Sequence, residues 1–547
     1  MNPTPRPPKL AVERPKSDLP LREIALLFAI FYLVYLINSS SLRIVWMDWC
    51  NFNDFETMHG WAGFMRLLSN EWMASPRVQF LSWMFQAVTV RLFGYWAAPH
   101  FALILGAHFA SALLVGRMTR QAAGSADAGR AAAVLYLVFP TSAGALFVIN
   151  NAFFVLSFSA AVLTAYLLTF PLKRTAADLA AVTGAALSCQ FLGEQTLPLL
   201  YLTLGWFGLR EARNGGWRRG FLRAGVPLAA CAATLLAYYP LAVKPYSQGY
   251  PLQWSSAVAT NFTKSFFLYH LQALDFSSWM YGKLSLPPSS DTLFLALPLV
   301  FVLWLLLSRT EPEPAAAPAK DLSLAALFLA AGLASTVIPV LYSALSGYRT
   351  AIETRYLYCS GLIIAVMLPF LFELSCRRWN GRIRAQARKW LFLAASSYLG
   401  VLMVYDLRDV WGAQKDLDRR IWTQVDANFN PQVKFVATDG LQAATLMPLT
   451  RSNAVSDFHE EFGVRCRIKQ IHGTDVTVLR RPIGENAGLV IAAPYRAAPM
   501  TVKKPELLSI VLRYEKSYLD LLRAKLVVFP VFEEYARYRN SEPFEFK

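Results

Sequence analysis

Three carboxylates close to the first apolar segment are the side chains best suited to chemistry. Asp48, Asp54 and Glu56 fall within nine residues, just beyond an apolar run that begins near residue 23. A carboxylate at a low-dielectric boundary can accept a proton from an attacking hydroxyl group, and two together can hold a divalent cation. Because acidic residues are also common in solvated loops, a purely structural role stays open beside a catalytic one.

Other ionisable residues flank later apolar segments. Glu194 lies between two apolar runs at a predicted membrane edge, where a charge is costly to desolvate, although a hydrated carboxylate at a helix end is the alternative. Arg349, Arg355 and Tyr356 surround the start of the apolar stretch 357–375. Arginine binds phosphate oxygens in pairs and tyrosine adds a donor. The set therefore suits a lipid phosphate, while anchoring at the membrane boundary remains the structural alternative.

The composition excludes a soluble protein of this length. Hydrophobic residues make up 55% of the 547 residues and charged residues only 16%, with a mean hydropathy of +0.34. Soluble domains carry about 25% charged residues. Disordered, coiled-coil and collagen-like chains need other compositional biases. A polytopic membrane protein is the class that remains.

The net charge of +17 comes largely from basic residues in short loops between apolar runs. Such loops mark cytoplasmic faces, so the charge indicates topology and contact with membrane lipids, and we expect no nucleic-acid partner. The six cysteines include no CxxC pair. Their spacing predicts neither a zinc site nor a disulfide framework.

Eleven stretches approach the roughly 20 apolar residues that a membrane-spanning helix needs. A further stretch, 79–93, carries Gln79, Gln86 and Arg91 and is interpreted as an interfacial helix or a short, tilted span. With the N-terminus inside, eleven spans place every strongly basic loop on the cytoplasmic side and the C-terminus outside. The eleven stretches are 23–40, 98–116, 131–149, 152–170, 177–193, 195–209, 221–243, 292–308, 322–342, 357–375 and 389–405.

This map divides the chain into three parts. Residues 1–20 are predicted to be a disordered cytoplasmic tail, and residues 21–405 a helical membrane domain with outer loops at 41–97 and 244–291. Residues 406–547 are predicted to form an extracytoplasmic domain, because their composition shifts toward charged residues and proline. About 140 residues suffice for one small domain.

The predicted extracytoplasmic domain mixes two kinds of pattern. Alternating residues at 433–436 and 476–479 predict strands. The segment 505–526 predicts a helix. The predicted fold class is therefore an all-α polytopic membrane bundle of about eleven helices with a small C-terminal α/β domain.

Short motifs over about residues 20–375 follow one another in an order that resembles a known family. The resemblance is to GT-C membrane glycosyltransferases, closest to the bacterial relatives of the TMTC-type protein O-mannosyltransferases. In that family the first span runs into a loop with an acidic pair, whereas here Asp48 is followed by Trp49. The motifs are Tyr35–Asn38, Val45–Asp48, Arg77–Ser82, Arg91–Gly94, His108, Phe139–Pro140, Cys189–Pro198 and Glu353–Tyr358.

The resemblance implies a reaction and roles for particular residues. Asp48 would be the catalytic base, with Asp54 and Glu56 as alternatives. Arg355, supported by Tyr356 and Arg349, would stabilise charge on the phosphate of the leaving lipid. Further candidates at family positions are Arg77, Glu194 and His108, although a lone histidine within a helical bundle is more often a satisfied core residue than a ligand.

The resemblance also implies the substrates. The donor would be a polyprenyl-phosphate sugar at the outer leaflet, and the acceptor a glycan, lipid or protein, with inversion at the anomeric carbon. The location would be the inner membrane of a bacterium, and the need for a divalent cation stays open. Two alternatives from other classes remain, namely a lipid or polysaccharide transporter and a non-catalytic membrane scaffold.

Overall fold

The computed structural model describes most of the membrane part and portions of the C-terminal part. The predicted N-terminal tail falls outside it except for its last two residues. Residues described are 19–45, 47–69, 79–169, 175–238, 240, 256–263, 266, 270, 288–309, 322–345, 357–376, 379, 381–437, 456–457, 461–479, 489–493, 496–500 and 507–509.

Helices form nearly all of the described membrane part. A π-helical turn at Tyr32–Leu36 and a 3-10 turn at Ser39–Ser41 extend the first of them. In chain order they are α1 (Leu21–Phe31), α2 (Met47–Thr57), α3 (Gly60–Ser69), α4 (Phe80–Phe93), α5 (Ala97–Ala123), α6 (Ala126–Val138), α7 (Ala143–Leu146), α8 (Ala152–Thr169), α9 (Thr175–Leu192), α10 (Leu197–Gly215), α11 (Trp217–Gly220), α12 (Val226–Tyr238), α13 (Ser256–Thr263), α14 (Ser290–Leu307), α15 (Leu322–Leu345), α16 (Ser360–Ser375) and α17 (Gly381–Tyr405).

Seven helical stretches within the described residues are long and apolar enough to cross a membrane. Three shorter apolar helices, including α4, accompany them. This confirms the prediction of a polytopic, helical membrane protein, while the number of eleven spans stays a prediction. The seven stretches are Leu21–Ser41, Ala97–Ala123, Ile149–Thr169, Phe221–Tyr238, Ser290–Leu307, Leu324–Leu341 and Gly381–Asn428.

The predicted span 131–149 is not one continuous helix. Helix α6 ends at Val138, and Phe139 is extended with φ −73° and ψ 121°. The residue before a proline is pushed out of the helical region, and Pro140 follows here. Two 3-10 turns, Pro140–Ser142 and Ile149–Asn151, flank the short helix α7. This interruption leaves backbone amides near Asn150 outside a regular helix, where they can bind a side chain.

Helices α5 and α6 form a tight antiparallel pair that needs glycine at its contact. A Cβ atom at Gly129 would lie 2.7 Å from the Arg120 Cβ and 2.8 Å from the Gly116 carbonyl oxygen. Gly124 ends α5 with φ +63°, a conformation that glycine adopts without strain. The Ser125 side chain then accepts a hydrogen bond from the Ala128 amide and caps α6.

A buried ionic network joins helices at one end of the bundle. The Arg130 guanidinium on α6 pairs with Glu23 on α1 and with Asp127, and donates to the Arg309 carbonyl at 2.6 Å. Arg388 on α17 pairs with Asp127 and with Glu373 on α16. These side chains lie in or beside the basic segments predicted to be cytoplasmic, and the network ties four helices together.

The C-terminal part begins as a continuation of the membrane helix α17. A π-helical turn at Asp406–Val410 leads directly into α18 (Trp411–Asn428), so the predicted boundary at residue 406 falls within a continuous helical segment. Helix α19 spans Glu461–His472. The organisation of 406–547 as a separate domain stays a prediction.

Among the described residues after α18, the chain forms five short strands. The two predicted strands are confirmed as β1 (Phe435–Ala437) and β2 (Thr477–Leu479), which pair in parallel. The predicted helix 505–526 is wrong where it is described, because Leu507–Ser509 is strand β5 and pairs in parallel with β1. Its apolar residues belong to an edge strand there. Apolar residues at helical spacing do not by themselves exclude a strand. Strands β3 (Leu489–Ala493) and β4 (Arg496–Met500) form an antiparallel pair.

Candidate functional site

Asp48 lies in the first turn of α2 with its carboxylate fully buried. Its Oδ1 accepts a hydrogen bond from the Asn150 backbone amide at 2.6 Å, and its Oδ2 accepts one from the Val45 amide at 3.3 Å. The Asn51 side chain donates to the Asn150 side-chain oxygen at 2.7 Å. The break after α6 thus supplies the amide that binds this carboxylate.

Two opposing effects set the protonation of Asp48. Burial raises the pKa of its carboxyl group from the ordinary value to about 7, and the negative charge of Asp457 adds to the rise. Backbone amides of Asn150, Val45 and Ile149 act against burial, because hydrogen bonds to the anion favour the charged form. A carboxylate that titrates near neutral pH meets the requirement for a general base at that pH.

The three acidic residues of the predicted cluster do not converge. Asp54 lies six residues after Asp48 on α2, which places it about 240° around the helix and about 9 Å along it. Asp54 is half-buried near Arg66 and Lys469, and burial raises its pKa while these two cations lower it. Glu56 is exposed, and the Gln470 amide donates to it at 3.5 Å.

A metal site does not emerge from the part of the chain that the structure describes. No group of three or more histidine, cysteine, aspartate or glutamate side chains there is arranged to hold an ion. Asp48 instead receives hydrogen bonds from backbone amides. The described residues therefore do not support a binding site for a divalent cation.

Sequence reasoning missed the tail residues that close around α2. The Trp49 indole N–H donates to the Asp457 Oδ1 at 3.0 Å, and the Trp422 indole N–H donates to its Oδ2 at 2.8 Å. The Arg467 Nη1 lies 3.4 Å from the same Oδ2, with its guanidinium 4.0 Å from the Trp422 ring centroid. A buried carboxylate from the tail is thus bonded to the residue next to Asp48.

A second buried tail carboxylate supports this arrangement. Asp418 pairs with Arg43, which precedes α2, and accepts hydrogen bonds from Gln414 at 2.6 Å and Ser456 at 2.8 Å. The Asp457 backbone amide donates to Asp418 at 3.2 Å. Nothing in the local sequence marks these residues as partners of the first loop, because their neighbours in the chain are ordinary polar tail residues.

A disulfide bond covalently joins α2 to the tail helix α19. Cys50 and Cys466 are bonded across 416 residues of sequence, and the Asn53 amide donates to the Cys466 carbonyl at 2.9 Å. The cysteine spacing, which predicted no disulfide framework, therefore failed to indicate this bond. Cysteine spacing motifs identify only cysteines that are close together in the sequence. The available signal was that both cysteines fall in segments predicted to lie outside the membrane on the same face.

Counting thiols tests this disulfide directly. Four of the six cysteines are free in the structure, so we expect four reactive thiols in denatured, unreduced protein and six after reduction. Cys50→Ser should give five thiols under both conditions, because Cys466 loses its partner. Six reactive thiols in unreduced wild-type protein from a host with an oxidising export compartment would contradict the pairing.

Glu194 begins a 3-10 turn between α9 and α10 and is held by two glutamine side chains. The Gln79 amide donates to both Glu194 oxygens at 3.3 and 3.2 Å, and the Gln195 amide donates to Oε1 at 3.3 Å. Gln79 precedes α4, where Ser82 and Gln86 follow at helical spacing, and all three are fully buried.

This face of α4 presents polar atoms that have no hydrogen-bond partner among the described residues. They are the Gln79 Oε1, the Ser82 Oγ and both amide atoms of Gln86, together with the Gln195 Oε1 beside Glu194. Buried polar groups are nearly always hydrogen-bonded to protein, water or a ligand. Helix α4 also contacts α2, where the Trp83 ring centroid lies 6.5 Å from that of Phe55. The unpartnered atoms therefore lie on an element next to the Asp48 helix.

His108 takes part in a hydrogen-bond chain within the bundle. Its Nδ1 lies 2.9 Å from the Tyr358 hydroxyl, its Nε2 lies 3.1 Å from the Leu137 carbonyl, and the Tyr136 hydroxyl donates to Tyr358 at 2.9 Å. With the proton on Nε2, the imidazole donates to the carbonyl and accepts from the tyrosine. These bonds satisfy both ring nitrogens, and they involve none of the residues around Asp48.

Four predicted site residues cannot be placed beside Asp48. Arg77, Arg349, Arg355 and Tyr356 lie outside the described residues. Most of the predicted outer loop 244–291 lies outside them as well. Their roles in phosphate binding stay predictions.

The chain is similar to two crystal structures of ArnT from Cupriavidus metallidurans. The first, of ArnT bound to undecaprenyl phosphate, has a TM-score of 0.37 and 12% sequence identity, covering 85% of this chain and 86% of that one. The second, of ArnT in the apo state, has a TM-score of 0.37 and 11% identity, covering 84% and 85%. No family model matches the sequence. No curated protein matches it.

Proposed function

We propose that the chain is a GT-C-type membrane glycosyltransferase that moves a sugar from a polyprenyl-phosphate donor to an extracytoplasmic acceptor with inversion. The observation that carries the proposal is Asp48, a buried carboxylate held by two backbone amides, with a pKa of about 7, at the motif position implied by the sequence resemblance. Such a group can receive the proton of an acceptor hydroxyl at neutral pH.

The reaction is a single displacement. The acceptor hydroxyl gives its proton to the Asp48 carboxylate while its oxygen attacks the anomeric carbon from the face opposite the phosphate. The bond between the anomeric carbon and the phosphate oxygen breaks, and its electron pair leaves with the polyprenyl phosphate. Arg355, with Tyr356 and Arg349, is proposed to stabilise the charge on that phosphate.

The polar face of α4 suits the hydroxyl groups of a sugar. The atoms of Gln79, Ser82 and Gln86 that lack partners within the described part of the chain include both donors and acceptors, and each sugar hydroxyl can both donate and accept a hydrogen bond. Glu194, held by Gln79 and Gln195, adds an acceptor next to this face. These groups support a carbohydrate substrate better than an apolar lipid cargo.

The disulfide supports an extracytoplasmic location for both α2 and the tail. Because Cys50 and Cys466 are bonded, the two segments lie on the same side of the membrane, so the chain must cross the membrane an even number of times between them. Disulfides persist in oxidising compartments outside the cytosol. An odd total number of spans and a cytoplasmic N-terminus, as in the proposed eleven-span topology, agree with this.

A transfer assay tests the proposal. The full chain in nanodiscs would be incubated with synthetic polyprenyl-phosphate sugars that carry a radiolabel in the sugar. Membranes from a strain that lacks the protein would supply the acceptor. We expect label to pass from the donor lipid to an acceptor in those membranes only when the protein is present. Polyprenyl phosphate should be released at the same time. Failure of every labelled sugar to move would contradict the proposed function.

The pH dependence of transfer should report Asp48. Because burial raises its pKa to about 7, the carboxylate is available above that pH and is protonated below it. We expect kcat to fall as the pH drops through about 7. An acid limb near pH 4, where an ordinary aspartate titrates, would show that a solvated carboxylate or another group limits the rate.

A further inference from the structure

Asp457 is a tail residue whose carboxylate bonds directly to the helix of the candidate base. Its Oδ1 binds the Trp49 indole and its Oδ2 binds the Trp422 indole. Trp49 immediately follows Asp48, and its ring stacks on Tyr95 at a centroid distance of 5.6 Å. The first turn of α2 is therefore held from the tail side by Asp457 and from the membrane side by Asn150.

We propose that Asp457 is a positioning carboxylate for Asp48, fixing the first turn of α2 through the Trp49 indole and placing a second negative charge beside the base. The tail thus contributes a positioning residue to the candidate active site. This inference rests on the proposed role of Asp48, and it adds a residue about 400 positions away in the chain.

Neighbouring charged groups hold the Asp457 carboxylate in position. Arg467 lies 3.4 Å from Asp457. Asp418 accepts a hydrogen bond from the Asp457 backbone amide and also pairs with Arg43. Two guanidinium groups thus accompany the two tail carboxylates. The hydrogen bonds to the Asp48 carboxylate come instead from backbone amides. The cations Arg66 and Lys469 act on Asp54, elsewhere on α2.

A neighbouring negative charge has a definite chemical consequence for a base. It disfavours the ionised form of Asp48 and so strengthens its affinity for a proton. A general base works best when its pKa lies close to the operating pH. Removing the charge of Asp457 should therefore make Asp48 a weaker base, while a merely structural contact would leave its titration unchanged.

The test compares two aspartates that share the same arginine. Asp457→Asn keeps an oxygen for the Trp49 indole and loses the charge. Asp426→Asn is the matched control, because Asp426 lies 4.0 Å from Arg467 and 2.9 Å from His472 and is partly exposed. Protonation of Asp48 would be followed in the full chain in nanodiscs by the infrared C=O band of its protonated carboxyl group, assigned by its loss in Asp48→Asn.

We expect Asp457→Asn to move the midpoint of the Asp48 band to lower pH, and Asp426→Asn to leave it unchanged. The acid limb of kcat should move with the band. An unchanged midpoint in Asp457→Asn, with the Cys50–Cys466 bond still formed, would overturn the inference. A shifted band in a protein that transfers no sugar would instead reject the proposed function and leave the contact between tail and α2 intact.

A second variant keeps the inference testable if Asp457→Asn does not fold. Trp49→Phe removes the indole donor but keeps a ring against Tyr95 and keeps the charge of Asp457. We expect kcat to fall about tenfold, the order of one lost hydrogen bond to a charged group, with KM for the donor unchanged. A wild-type kcat for a folded Trp49→Phe protein would remove the positioning role.

Discussion

Sugar transfer is expected to fall by about 10²–10⁴-fold when Asp48 is replaced by asparagine, the range for loss of a general base. The side chain keeps its shape and one oxygen acceptor. It loses the ability to take a proton, and its amide must face a backbone N–H of Asn150 or Val45 that now binds the carboxylate. Initial rates with a labelled donor in nanodiscs measure the effect.

The same substitution also has a structural effect that must be measured separately. A backbone amide left without its acceptor costs about 1–3 kcal/mol, so a lower Tm is expected beside the loss of rate. Glu56→Gln is the matched control on α2, because Glu56 is exposed and borders the tail helix. Near-normal transfer by Asp48→Asn with a large loss in Asp54→Asn would reassign the base. Loss in neither Asp48→Asn nor Asp54→Asn would reject the proposed mechanism.

Replacement of Arg130 by methionine should lower the free energy of unfolding by about 3–5 kcal/mol, because it leaves buried carboxylates without their cation. Glu23 and Asp127 both pair with Arg130, and Asp127 and Glu373 also pair with Arg388. Loss of Arg130 therefore removes the cation that pairs with both Glu23 and Asp127. Thermal unfolding in detergent measures the change.

An exposed arginine provides the control for this variant. Arg419 pairs with Asp416 at 3.1 Å, and their side chains are 71% and 56% exposed. Surface ion pairs contribute little, so Arg419→Met should change stability by less than about 0.5 kcal/mol. Equal Tm values for the two variants would show that water reaches the Arg130 network and that its charges need no partner.

The membrane character of the chain could be predicted from the sequence because it depends on local composition. Long apolar runs bounded by basic loops need no knowledge of tertiary contacts, and helices occupy most of the described part of every predicted stretch. The break in 131–149 also had a local cause in Pro140. Predicting a continuous span there gave too much weight to hydrophobicity and too little to proline.

The position of Asp48 as a candidate base followed from motif order alone, but its chemical environment did not. Its burial, the amide of Asn150 about a hundred residues away and the charge of Asp457 all come from segments that meet only in the folded chain. Asp54 and Glu56 were the alternatives to Asp48 in the sequence. Helical geometry separates them from Asp48, because six or eight residues along a helix do not bring side chains together.

The amino-acid sequence by itself determined that the chain is a helical membrane protein, that an acidic segment follows its first span, and that strands occur in its C-terminal part. Tertiary structure decided that this C-terminal part closes over the acidic segment through Asp457, Asp418 and the Cys50–Cys466 bond. The physical reason is separation along the chain. Hydropathy and helix signals act over a few turns, whereas a hydrogen bond or disulfide across some 400 residues leaves no periodic trace in the sequence.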